Sequence, residues 1–140
     1  MDRAVIDRKL ESLRRCVQRI RDKRPSSVDT LASDLDAQDV LVLNLSRAVQ
    51  VCVDIGAHLL GSLDQPVPAT MGETFIRLAE AAVLDAALAD RLRRAVGFRN
   101  IAVHNYDAID WQIVMALSGA PLQDFEDFAR AIVGYTATRS

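Results

Sequence analysis

This chain predicts an all-α fold, a helical bundle of about five to six helices, on three observations. Apolar residues recur every three or four positions through most of its length, the spacing of one helix face. Leu, Ala and Val dominate the apolar half of the composition while aromatics supply only 5%, which favours packed helices over sheet. The periodic segments are bounded by helix-capping Thr and Asp and by Pro and Gly.

Each element follows from local pattern. Ile6, Leu10, Leu13, Val17 and Ile20 place an amphipathic helix over 4–24, stopped by Pro25. Residues 26–33 predict a short helical turn. A helix over 37–62 carries Leu41, Leu45, Ala48, Cys52, Ile55 and Leu59 on one stripe, widened by Val42, Val49, Val53 and Leu60. Apolar on so much of its circumference, it belongs at the centre. The segment from Gly61 to Gly72 holds two prolines and predicts a loop, closed by a capping box of Thr70 and Glu73. A helix over 72–82 follows, then one over 86–104 with Leu88, Leu92, Ala95, Ile101 and Ala102 inward. Asp110 caps a short helix to Leu117, and Pro121 opens a last helix to Ala137.

At 140 residues the chain is one domain, 1–140, with room for one core. No repeat or low-complexity tract interrupts it. No apolar run is expected to reach the ~20 residues that span a bilayer, and the charged start lacks the apolar stretch of a signal peptide. A cytoplasmic chain without membrane contact is therefore expected. Cys16 and Cys52 form no Cys-x-x-Cys pair and are read as buried free thiols.

The net charge of −2 conceals a separation. Residues 1–24 carry nine Lys or Arg against four acids, residues 91–106 carry four Arg and no acid, and the remainder stands at −11. Local positive charge on an acidic protein suits a polyanion. Arg3, Lys9 and Lys23 are read as a solvated face. Arg91 and Arg94, at i,i+3 and without an acid inside their segment, are candidate RNA-phosphate contacts, with a solvent-facing arginine row as the alternative.

The segment Arg99-Asn100-Ile101-Ala102-Val103-His104-Asn105-Tyr106 holds an Arg-x4-His-x-Tyr pattern. An imidazole near its natural pKa of about 6.5 can take a proton from a ribose 2′-hydroxyl or return one to a leaving oxygen. A guanidinium stays charged and braces the negative charge that builds on phosphorus. Together they can cleave RNA without a metal. On an ideal helix Arg99 and His104 point about 140° apart and lie about 7.5 Å apart along the axis. Both reach one phosphate if the helix ends near His104, or if a two-fold partner brings its own copy across the axis. The structural alternative makes His104 a helix-end charge.

This segment and its surroundings resemble the HEPN superfamily, and within it the HepT-like toxins of toxin–antitoxin pairs. The stretch from Leu43 to Leu59 is similar to that family's second helix, the endings around Ile109-Asp110-Trp111 and Leu122-Gln123-Asp124-Phe125 are similar too, and Asn100 is the polar residue that follows the family's arginine. The resemblance implies a HEPN-type homodimeric bundle acting as a metal-independent endoribonuclease toxin. It implies catalytic Arg99 and His104, supported by Asn100. It further implies a minimal nucleotidyltransferase antitoxin that adenylylates Tyr106. An mRNA or tRNA substrate is expected, with neither cofactor nor metal. Tyr106 is expected at the mouth of the pocket that His104 lines.

Arg47, Gln50, Asp54 and His58 form a polar stripe on the central helix. Buried polar groups need partners. Asp54 and Arg47 are read as orienting Arg99 or His104, or as tying a dimer together, and His58 as structural. Asp54 with His58 at i,i+4 is a weak metal pair without a third ligand. Gly56, Gly61 and Gly72 are isolated and lack the lysine of a phosphate loop. The rival function is a non-catalytic helical subunit on which a nucleotidyltransferase docks or a nucleotide binds; a purely structural bundle is the third.

Overall fold

The computed structural model describes residues 1–139. Among them are seven α-helices and no strand: α1 (Arg3–Lys23), α2 (Val28–Ser33), α3 (Leu35–Ser62), α4 (Met71–Glu80), α5 (Ala86–His104), α6 (Trp111–Leu117) and α7 (Leu122–Ala137). The count exceeds the expected five to six because the 26–33 turn closes into a separate helix, capped by Ser27 on the Thr30 N–H.

Capping explains most boundaries. Asp2, Asp34, Thr70, Asp85 and Asp110 each accept from backbone N–H groups of the first turn that follows, satisfying donors with no helical partner. The box at α4 forms in altered shape: Thr70 accepts from the Glu73 N–H at 3.1 Å, and Glu73 reaches back to the Ala69 N–H at 2.8 Å. That bond and the Arg77 guanidinium, the larger influence, hold the Glu73 carboxyl below its ordinary range.

The predicted end of α4 at residue 82 is two residues late. Ala82 takes the left-handed conformation, with φ 61°, and the Val83 N–H bonds back to the Leu78 carbonyl at 2.9 Å. This is a Schellman stop, made here without the glycine that would have announced it.

α3 is the central helix. Leu41, Ala48, Cys52, Ile55 and Leu59 are wholly buried, and Val42, Val49, Val53 and Leu60 are buried beside them. Helix α1 runs antiparallel to α3, as the Asp2–His58 and Lys9–Asp54 contacts require. α4 and α5 pack on each other and on α3, while α6 covers α2. Phe75 of α4 meets Phe128 of α7 edge to face at 6.2 Å, both fully buried. α3 has the length and mean composition that could cross a bilayer, with a mean hydropathy of 1.5 over its best window, although Asn44, Arg47, Gln50 and Asp54 interrupt its apolar run. More than half of that window is buried within the bundle.

Gly56 permits the α3–α4 approach. A Cβ there would lie 2.6 Å from Thr74 Cγ2 and 2.8 Å from Leu78 Cδ1, inside contact distance.

Candidate active site

The Arg-x4-His-x-Tyr segment straddles a helix end. Asp85 starts α5 by accepting from the Leu88 N–H at 2.7 Å. His104 is its last residue, and Asn105 leaves the helical path while its N–H still bonds to the Ile101 carbonyl at 2.8 Å. A 3₁₀ turn over Tyr106–Ala108 follows.

Arg99 is held from α3. Its Nη2 donates to Gln50 Oε1 at 3.1 Å, and Nη1 donates to Asn100 Oδ1 at 3.4 Å. Gln50 Nε2 in turn donates to Asp54 Oδ1 at 2.9 Å, and Asp54 Oδ2 lies 3.6 Å from Lys9 Nζ. The carboxylate fixes the sense of the amide, since a flipped Gln50 would turn an N–H₂ toward the guanidinium and a carbonyl toward the carboxylate. Asp54 thus reaches Arg99 only through Gln50, a stripe residue that the sequence reading left outside the site.

Arg99, Asn100 and His104 line one open hollow of about 580 Å³. Its opposite wall is the start of α4 at Thr70, Met71 and Gly72, and Arg93 also lines it. The hollow thus joins the Arg99 guanidinium, an imidazole and the positive end of a helix, with Arg93 held by Asp90 and the Glu73 carboxylate, which also lines it, held by Arg77. Such a set can hold a phosphate and exchange a proton with it. The end of α5 at His104 brings both residues to this hollow within a single chain.

Several expectations need correction. Tyr106 does not line this hollow, because the 3₁₀ turn carries it toward α3, where its hydroxyl donates to Asp39 Oδ1 at 3.2 Å. Its ring meets Trp111 edge to face at 6.3 Å, and the residue stays 43% exposed. Burial first, then the hydrogen bond and negative charge of Asp39, raises the phenol above its ordinary pKa. Arg91 and Arg94 are not uncompensated: Arg91 Nε pairs with Asp124 Oδ1 at 2.9 Å, and Arg94 pairs with Asp90. Asp90, one residue before the acid-free segment, also takes Arg93 at 2.8 Å, and Arg93 and then Arg94 hold its carboxyl below the usual range.

Arg47 hydrogen-bonds to neither Arg99 nor His104; it stands exposed in a cleft between α1 and α3. His58 Nε2 accepts from the Asp2 N–H at 3.0 Å, the structural use expected of it. Ile101, expected inward, is 43% exposed and borders an apolar groove between α5 and α6. Cys16 and Cys52 are buried free thiols.

The family described as Ribonuclease HepT-like matches residues 9–132. The chain belongs to this family. Among curated proteins, this HepT-like chain is 32% identical to the mRNA nuclease HepT of Shewanella oneidensis over 91% of its own length and 96% of the relative's. It is also 32% identical to the tRNA nuclease HepT of Aphanizomenon flos-aquae, over 96% of its length and 91% of the relative's. Among solved structures, the tri-AMPylated Shewanella oneidensis HEPN toxin in complex with MNT antitoxin superposes with a TM-score of 0.87. The two are 31% identical, over 96% of this chain and 99% of that one.

Proposed function

We propose that this HepT-like chain is a metal-independent endoribonuclease, the toxin half of a toxin–antitoxin pair acting in the cytoplasm. The observation that carries this reading is that Arg99 and His104 line one hollow, in a chain whose relatives are named mRNA and tRNA nucleases. Arg99, held by Gln50 and Asn100, binds the scissile phosphate and stabilises its added charge in the transition state. His104 takes the proton from the neighbouring 2′-hydroxyl, which attacks phosphorus as the 5′-oxygen leaves. The products are a 2′,3′-cyclic phosphate and a 5′-hydroxyl. The acid that protonates the leaving oxygen is the second His104 of a homodimer, placed opposite by the two-fold axis. Ile101 of α5 and Ile113 of α6 leave an exposed apolar patch beside the α5–α6 groove suited to that contact.

The partner is a nucleotidyltransferase antitoxin that transfers AMP from ATP to the Tyr106 oxygen with release of pyrophosphate. The tri-AMPylated state of the Shewanella toxin supports this, as does the partial exposure of Tyr106. Incubation of the purified chain with total RNA, with and without EDTA, tests the core of the reading. Cleavage that survives EDTA and leaves 2′,3′-cyclic phosphate ends is the expected result; no cleavage, or strict dependence on magnesium, overturns it.

A further inference from the structure

Arg15 and Arg19 of α1 and Arg47 of α3 share a cleft of about 490 Å³ that Ser12, Asp39 and Asn44 also line. All three arginines are exposed, and none has a carboxylate within ion-pair distance among the described residues, where Arg14, Arg21, Arg77, Arg91, Arg93, Arg94 and Arg130 each do. Their charge converges across the helix pair. The buried Cys16 thiol between them is raised by burial, and the positive charges of Arg47 and Arg15 pull it partly back. Arg15 and Arg19, one turn apart on α1, repel each other, and an anion among the three relieves that repulsion.

The cleft and the hollow share no lining residue, but α3 links them. Arg47 precedes Gln50 by three residues on the same face of α3, and Gln50 holds Arg99. The guanidiniums of Arg99 and Arg47 therefore stand at the two ends of a short link along α3, one in the hollow and one in the cleft. Earlier on α5 the row of Arg91, Arg93 and Arg94 is already neutralised by Asp90 and Asp124. Asp39, at the rim of the cleft, holds the Tyr106 hydroxyl.

We propose that the α1–α3 cleft is a binding subsite for the phosphodiester backbone of the RNA strand that reaches Arg99, with Arg15, Arg19 and Arg47 each engaging a phosphate. The proposal rests on the ribonuclease reading for its substrate. It also gives Tyr106 a physical place in regulation: phosphate added to its oxygen enters the rim of the strand's path.

Equilibrium binding of a short, end-labelled single-stranded RNA across a salt series tests it, with the full chain carrying His104→Ala so that the probe stays intact. Each phosphate contact on a single strand contributes about 0.7 to the slope of log K against log salt. Adding Arg15→Gln, Arg19→Gln and Arg47→Gln should lower that slope by about 2 and weaken binding at least about tenfold at physiological salt. Arg91→Gln with Arg94→Gln should leave the slope unchanged. An unchanged slope in the triple variant, or an equal loss in the double, overturns the subsite. The single variants, each expected to lose about 0.7, serve if circular dichroism shows the triple unfolded. A triple variant that keeps its RNA slope but no longer accumulates AMP on Tyr106 assigns the cleft to the nucleotide and also overturns the proposal. If the native chain cleaves no RNA while the slope difference persists, the nuclease reading fails and the subsite stands.

Discussion

Gln50 Oε1 accepts from Arg99 Nη2 at 3.1 Å while the other end of the same amide donates to Asp54. The arginine is thereby fixed by a neutral acceptor and keeps its full charge for a phosphate, where a carboxylate at position 50 would have spent it.

Gln50→Leu removes that anchor without touching the hollow's other groups. It should lower the rate of RNA cleavage about 10- to 100-fold through misplacement of Arg99, with a smaller change in RNA affinity. Asp54→Asn should retain most activity because its amide oxygen still accepts from Gln50 Nε2, whereas Asp54→Leu should behave like Gln50→Leu. Single-turnover kinetics with separate binding isotherms read the two effects. Equal loss in both Asp54 variants would refute the positioning role.

Arg99→Ala and His104→Ala should each reduce cleavage by about 10²- to 10⁴-fold while the chain still folds. Arg99 is half-buried and His104 exposed, and neither belongs to the packed core. Circular dichroism and gel-based cleavage check this together, and intact cleavage by His104→Ala would remove it from the mechanism.

Tyr106→Phe keeps the ring and its Trp111 contact but loses the acceptor oxygen. It should remain toxic while escaping modification, so the increment of ~329 Da per AMP disappears from the intact mass after co-expression with the nucleotidyltransferase. AMP on another residue would reassign the site.

The same phenol carries a pH signature. Its raised pKa means that the folded state binds the proton more tightly than the unfolded chain does. The associated stability is present below the ordinary phenol value of about 10 and is lost as pH rises through the folded value. Asp39→Asn should move the titration back toward that ordinary value, read by ultraviolet absorbance against Tyr106→Phe.

Three small substitutions test the packing. Gly56→Ala should cost about 1–3 kcal/mol, since its Cβ meets Thr74 and Leu78 within 3 Å. Gly61→Ala, with nothing within 4 Å of its Cβ, should leave stability equal or raise it by less than about 1 kcal/mol. Ala82→Gly should stabilise by up to about 1 kcal/mol by relieving the left-handed backbone. Thermal melts of the three variants should order them accordingly.

By itself the sequence determined the helices, the central place of α3 and the Arg99-x4-His104-x-Tyr106 motif, because periodicity, capping and the identity of reactive groups are written within a few turns of chain. The α5 bounds match at both ends for that reason, and the Asp85 cap forms from its own following turn. Only the tertiary structure decided which of these groups meet. Gln50 and Arg99 are 49 residues apart, and Tyr106 and Asp39 are 67 apart. Asp124 neutralises Arg91 from a different helix. Arg93 and Arg94 pair with Asp90 inside α5 at i,i+3 and i,i+4, a local spacing hidden by starting the segment at residue 91. Whether Arg91, Arg15, Arg19 and Arg47 are free or paired, by contrast, depends on how the helices are set against one another. A charge tally along the chain therefore located positive charge but could not tell the paired row on α5 from the unpaired cleft between α1 and α3.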